Sequence, residues 1–274
     1  MSIPTITLNN GVTIPQLGFG VFQVPDDETT AAVSAALAAG YRSIDTAAIY
    51  GNEAGVGRAL AASGIPRDEL FITTKLWNSD QGFDSTIAAY EASLAALGLD
   101  YVDLYLIHWP APANDLYTES WRAMERLLAE GRVRAIGVSN FAPEHLARLN
   151  QTSSIVPAVN QVELHPTLSQ VEVRAHNEAN GIITEAWSPL AQGGLLAHPV
   201  IVDIAGRAGR TPAQVILRWH LQQGRIVIPK SVTPSRIAEN LAVFDFDLGA
   251  DDLLLIDALN TDSRIGPDPV DFNG

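Results

Sequence analysis

The sequence contains no cysteine. Disulfides, thiolate metal sites and cysteine nucleophiles are thereby excluded, and a reducing compartment such as the cytoplasm is expected. Positive charge is also scarce. Lysine and arginine total 17 against 31 aspartates and glutamates, a formal net charge of -14. Such a chain is poorly suited to nucleic acid or an anionic membrane, so an anionic ligand needs a local cluster of cations. No apolar run is long enough to span a bilayer. The opening "MSIPTITLNNG" has no basic n-region and no apolar h-region, which argues against a secretory signal. The sequon at Asn150 is therefore expected to carry no glycan. The six histidines lack the spacing of paired ligands on a helix, so no metal is expected.

What the chain does have is apolar bulk and a repeating pattern. At 274 residues and 47% hydrophobic, it has room for one large domain or two small ones. Helix-periodic stretches end in glycine and lead into short β-rich ones, as in "AAG-YRSIDTA", "ALG-LDYVDLYLIHW", "AEG-RVRAIGVSN", "ANG-IITEAWSP" and "QQG-RIVIPKS". Glycine tolerates the left-handed conformation that closes a helix. Ile87, Tyr90, Leu94 and Leu97 form one apolar helical stripe, and Trp121, Met124 and Leu128 another. Thr211 to Gln214 reads as a capping box with proline at the first helical position. Eight strands are predicted: "GFGVF", "RSIDTA", "LFITTKL", "VDLYLIHW", "AIGVSN", "AVNQVEL", "GIITEAW" and "RIVIPK". Apolar strands alternating with helices imply a parallel sheet. Eight such units in about 250 residues suit a closed (β/α)8 TIM barrel. An open doubly wound sheet is the alternative. Ahead of the first unit, "ITLNNGVTI" predicts a β-hairpin plug with an Asn-Gly turn at the barrel's bottom.

Barrel chemistry sits at the C-terminal ends of the strands. Those ends carry Asp45, Lys75, His108, Ser139, Asn140, Gln161, Trp187 and Lys230. An ammonium at the end of an apolar strand is costly unless paired, and Asp45 on the neighbouring strand can pair with Lys75. Tyr50 follows in the loop "AAIYGNE". An adjacent ammonium is expected to lower its pKa, making it a proton donor near neutrality. His108 offers a hydrogen bond to the same volume. A satisfied polar network closing the barrel top is the alternative reading of these residues.

"GYRSIDTAAIYGNEAGVG", "LFITTKLW", "DLYLIHWP", "IGVSNF", "PAVNQVELHP" and "IPKSVTPSRIAEN" resemble the aldo-keto reductase family, in family order and over almost the whole chain. The likeness favours the prokaryotic branch that includes 2,5-diketo-D-gluconate reductases. It implies a single domain over residues 1–274 and NADPH-dependent reduction of aldehydes, dicarbonyls, keto sugars or keto acids. Tyr50 would act as general acid, with Asp45, Lys75 and His108 supporting it. Ser139, Asn140 and Gln161 match positions that bind the nicotinamide carboxamide. Trp187, where many relatives carry tyrosine, matches the position that stacks on the ring. Ser188, Leu190, Gln192 and Leu195 lie in the loop that follows the pyrophosphate. Lys230, Ser231, Val232 and Arg236 surround a helix start that would hold the 2′-phosphate and favour NADP over NAD. Glu239 and Asn240 match positions near the adenine. Phe22, Ile49, Trp77 and Trp109 match the wall of the carbonyl pocket.

"GFGVFQ" is a poor match to a Rossmann fingerprint, and no Walker A sequence exists. The short C-terminal segment "RIGPDPVDFNG" suggests an open, permissive pocket, and the family likeness favours a monomer. Two alternatives remain. Lys75 could be a Schiff-base nucleophile, as in barrel aldolases. The chain could instead be a binding or regulatory subunit.

Overall fold

Thr5–Thr7 (β1) and Thr13–Pro15 (β2) pair antiparallel, joined by a turn in which Leu8 N–H donates to the Val12 carbonyl at 2.8 Å. The connection is the three residues Asn9, Asn10 and Gly11, one more than a two-residue Asn-Gly turn. Gly11 takes φ 85°, the left-handed value this turn requires. Asn9 Nδ2 donates to the Pro157 carbonyl at 3.0 Å and Asn10 Nδ2 to the Arg134 carbonyl at 2.9 Å. Both acceptors lie at the N-terminal ends of barrel strands. Leu8 and Ile14 pack inside against Phe71, Leu104, Leu106 and Val159. The hairpin is the expected plug. This computed structural model describes residues 3–274. The first two residues of the expected 1–274 domain, and of the segment read for a signal, lie outside the described residues.

The barrel strands are β3 (Phe19–Gly20), β4 (Ser43–Asp45), β5 (Phe71–Leu76), β6 (Val102–Ile107), β7 (Val133–Ser139), β8 (Val159–Glu163), β9 (Ile183–Trp187) and β10 (Ile226–Val227). They are parallel, and each neighbours the next in sequence. A parallel bridge between Leu17 and Val227 joins the two ends, with Gly18 N–H donating to the Val227 carbonyl at 2.9 Å. The sheet closes on itself, so the doubly wound alternative is not formed. The seam is tight. A Cβ on Gly20 would stand 2.9 Å from the Ile228 carbonyl oxygen, so only glycine lets β3 approach this closely. Pro229 has no N–H to extend the ladder, and β10 is correspondingly short.

Single helices connect successive strands from β3 to β9: α1 (Asp26–Ala39), α2 (Glu53–Ala62), α3 (Phe83–Leu97), α4 (Tyr117–Ala129), α5 (Pro143–Thr152) and α6 (Val171–Ala179). Two helices, α7 (Pro199–Ala208) and α8 (Pro212–Gln222), separate β9 from β10. After β10 come α9 (Pro234–Leu241) and α10 (Ala250–Asp257). The predicted stripes face inward in most of their positions: Tyr90, Leu94 and Leu97 on α3 and Trp121 and Met124 on α4 are buried, while Ile87 and Leu128 are half-buried and Leu127 takes the fully buried place. Each fully buried large apolar side chain contributes roughly 1.5–3 kcal/mol. The capping box at α8 forms as read, with Thr211 Oγ1 accepting from Gln214 N–H and Gln214 Oε1 accepting from Thr211 N–H. Among the described residues, no helix is long and apolar enough to cross a membrane.

Candidate active site

The C-terminal ends of the strands open into a cavity of about 960 Å³. Lys75, on β5, is fully buried beneath it. Its Nζ donates to Asp45 Oδ1 at 2.6 Å and to the Thr46 carbonyl at 2.9 Å, with Tyr50 Oη at a long 3.5 Å. The pairing expected from sequence is present. Burial alone would pull the ammonium down, but Asp45, Tyr50 and Glu185 together hold it above its ordinary value. A charged amine has no lone pair to attack a carbonyl, which counts against the Schiff-base alternative.

Tyr50 differs from the expectation. Burial raises its pKa, and the opposing pull of Lys75 does not win, partly because Asp45 pushes upward too. The paired carboxylate cancels much of the ammonium's field at the phenol. Tyr50 is therefore a neutral phenol, which is the protonation state a donor needs. Its loop is fixed by Asn52, fully buried, whose Nδ2 donates to the Val21 and Val24 carbonyls at 2.9 Å and whose Oδ1 accepts from Thr46 Oγ1 at 2.9 Å.

His108 packs edge-on to Tyr50, with ring centroids 5.6 Å apart, and to Trp77 at 5.2 Å. Burial and then the Lys75 charge push its pKa well below the ordinary value, so the imidazole is neutral. Among the described residues its Nδ1 is buried without a hydrogen-bond partner. A bare lone pair is cheaper to bury there than an N–H, which assigns the proton to Nε2.

A second network adjoins this one. Asn140 Nδ2 donates to the His108 carbonyl at 2.9 Å and to Ser139 Oγ at 3.0 Å, and its Oδ1 accepts from Trp187 Nε1 at 2.8 Å. Ser139 Oγ donates to the Gln161 carbonyl at 2.8 Å. Gln161 Nε2 donates to Asp45 Oδ2 at 2.8 Å and to Glu185 Oε2 at 2.9 Å. Glu185 was not singled out in the sequence. Burial, and then Asp45, push its carboxyl up to about 7 against the pull of Gln161 and Lys75. The signal was a carboxylate inside the apolar strand "GIITEAW".

Most of the predicted residues meet at this cavity. Phe22, Ile49, Trp77 and Trp109 line it, as do Ser188, Leu190 and Gln192. Lys230, Ser231, Arg236, Glu239 and Asn240 line it on the side after β10. Among the described residues, neither Lys230 nor Arg236 has a carboxylate within ion-pair distance. Two cations free of carboxylates beside a helix start fit a phosphate.

Leu195 is buried in the core, and its neighbour Leu196 lines the cavity. Val232 is exposed and lies outside the lining. The pocket is less open than the sequence suggested. Phe272 packs on Trp109 with centroids 4.6 Å apart and, with Pro267, adds to the wall.

A family model described as Aldo/keto reductase family matches residues 16–261. The chain belongs to the aldo/keto reductase family. This family member is 59% identical over 270 residues to a protein named aldo-keto reductase from Mycolicibacterium smegmatis (strain ATCC 700084 / mc(2)155), with 98% of each chain covered. It is 54% identical over 266 residues to a glyoxal reductase from Bacillus subtilis (strain 168), covering 97% of this chain and 96% of that one. Its structure superposes with TM-score 0.96 on the crystal structure of a Gox0644 mutant in complex with NADPH, at 49% identity and 99% coverage of both chains.

Proposed function

We propose that this aldo/keto reductase is an NADP(H)-dependent oxidoreductase that reduces small uncharged aldehydes and dicarbonyls to alcohols. One observation carries the reading: Lys75 Nζ lies between Asp45 and Tyr50 at the floor of a cavity that has aromatic walls and, after β10, the cations Lys230 and Arg236. The glyoxal reductase relative and the NADPH-bound neighbour support it.

Lys230 and Arg236 would hold the 2′-phosphate, and Gln161 and Asn140 the nicotinamide carboxamide. Trp187 would stack on the ring. NADPH, when bound, supplies the hydride that adds to the carbonyl carbon. Tyr50 Oη donates its proton to the carbonyl oxygen as negative charge develops there, and His108 Nε2–H orients that oxygen. Lys75 then stabilises the phenolate until solvent returns the proton. Asp45 keeps the ammonium charged at this fully buried position. The reading of substrate charge rests on the carbonyl end of the cavity. Phe22, Ile49, Trp77, Trp109 and Phe272 offer no cation there, so a carboxylate would lose hydration without compensation.

Tyr50→Phe keeps the ring and removes the proton. NADPH consumption with glyoxal should fall by roughly 10²–10⁴-fold, with cofactor affinity little changed. A loss below tenfold removes Tyr50 from the role. Faster turnover of keto acids than of neutral dicarbonyls would overturn the substrate class.

A further inference from the structure

Glu185 is 1% exposed, on β9 two residues before Trp187, and none of the roles above uses it. Register places it directly beside Gln161 on β8, with Ile226 of β10 on its other flank. Gln161 Nε2 carries two N–H groups. One meets Asp45 and the other Glu185, at 2.8 and 2.9 Å. Rotating that amide would turn its oxygen against two carboxyl groups, so the orientation is locked. Oε1 remains the acceptor that Gln161 can offer the cavity it lines.

We propose that Glu185 is a positioning residue for the nicotinamide carboxamide: with Asp45 it clamps the Gln161 amide so that Oε1 is presented as acceptor. The inference rests on the NADP(H) reading above. Its charge matters as well. The charged groups acting on Glu185 are Asp45 from β4 and Lys75 from β5, while β8 presents the neutral Gln161 and β10 an isoleucine. Ionising Glu185 takes the buried Asp45–Lys75–Glu185 cluster from neutral to a net negative charge. The oxidised nicotinamide is cationic and the reduced one neutral, so ionised Glu185 favours NADP⁺ over NADPH.

The test uses the intact protein and three ligands, NADPH, NADP⁺ and 2′-phospho-ADP-ribose, which lacks nicotinamide. Kd is measured at pH 6 and pH 8.5 in the parent, Glu185→Met and Glu185→Gln. Loss of the clamp in Glu185→Met should weaken NADPH by roughly tenfold, the value of one hydrogen bond to a buried polar group, and leave 2′-phospho-ADP-ribose within about twofold. In Glu185→Gln the amide oxygen still accepts from Gln161, so NADPH affinity stays within about threefold. The parent's ratio of NADPH to NADP⁺ dissociation constants should rise several-fold with pH, and this rise should vanish in Glu185→Gln. Equal weakening of all three ligands in Glu185→Met, or the same pH dependence in parent and Glu185→Gln, overturns the inference. If Glu185→Met does not fold, Glu185→Ser, too short to accept from Gln161, takes its place against the same three ligands. A parent that binds none of the three ligands would instead overturn the NADP(H) reading.

Discussion

Trp187 Nε1 donates a 2.8 Å hydrogen bond to Asn140 Oδ1, and the same Asn140 donates 2.9 Å to the carbonyl of His108. Asn140 takes φ 63°, a left-handed value that asparagine accepts more readily than most residues. The indole N–H thus fixes an amide that in turn holds the backbone of a candidate catalytic residue. A phenylalanine could stack but not donate.

Trp187→Phe should therefore separate stacking from hydrogen bonding. It leaves Asn140 Oδ1 buried without its donor, at a cost of about 1–3 kcal/mol. Thermal denaturation should show that loss, and kcat should fall as His108 loosens. NADPH affinity should change by less than about threefold, because the ring remains. An unchanged melting temperature with tenfold weaker NADPH would mean that Trp187 acts on the cofactor by another route.

Glu185 makes a prediction about stability. Its pKa rises from the model-compound 4.5 to about 7 on folding. Between those values the folded state holds more protons than the unfolded one, so stability falls as pH rises through this window and the full penalty applies above it. Glu185→Gln removes the penalty. Its gain in Tm over the parent should be small at pH 5 and grow by pH 8, by at least the roughly 2–4 °C that one kcal/mol represents at this size. A gain independent of pH would show that Glu185 does not titrate there.

The fold was legible because its signals are local. Gly98 and Gly224 close helices with φ 65° and 73°, and the apolar stretches after them are strands. Asp45, Lys75 and His108 could be found from their places at strand ends. What sequence did not show depends on three-dimensional sums. The direction of the Tyr50 shift is a balance of burial, Lys75 and Asp45, and a sequence gives the charges but not the depth. Leu195 and Leu196 are adjacent, and only the turn over Ala191–Gly193 decides which one faces the cavity. Glu185 and Gln161 meet through strand register. Phe272 reaches Trp109 across 163 positions, and no periodicity announces such a contact.

That last contact is held by Glu163. Its carboxylate accepts from Ile265 N–H at 2.6 Å, from Gly266 N–H at 2.9 Å and from His165 Nε2 at 2.9 Å. Burial pushes the carboxyl up, but these donors outweigh it and hold the pKa below its ordinary value. A Cβ on Gly266 would stand 2.6 Å from the Trp187 ring, so the C-terminal segment around Ile265 and Gly266, a strap, lies directly on the indole. Phe272 is half-buried, so Phe272→Ala removes part of the roughly 1.5–3 kcal/mol that a fully buried side chain contributes. KM for a small aldehyde should rise several-fold while kcat is kept. Glu163→Gln should move KM in the same direction by loosening the strap. Steady-state kinetics with a neutral aldehyde decide it: an unchanged KM in both variants would mean that the strap does not contact substrate.

Arg236 and Lys230 carry the last prediction, on cofactor choice. NADP differs from NAD by one phosphate, so discrimination must come from groups that meet it. Arg236 offers a planar fork of donors that can grip phosphate at two oxygens, whereas Lys230 is a point charge. Neither has a carboxylate partner to release first among the described residues, and both line the cavity. Ser231 Oγ already accepts from Thr233 N–H at 3.1 Å, which leaves its own hydroxyl proton for an anion. Charge-assisted hydrogen bonds contribute about 1.5–3 kcal/mol each. Arg236→Ala should thus weaken NADPH by roughly 10- to 150-fold and NADH hardly at all. The preference should narrow while kcat at saturating cofactor stays comparable, or rises where release limits turnover. Added salt should weaken NADPH in the parent more than in the variant, because the exposed ion contact is screened. Trp fluorescence titrations with both cofactors test this. Equal losses for NADPH and NADH would make Arg236 a support for the α9 rim with no part in reading the phosphate.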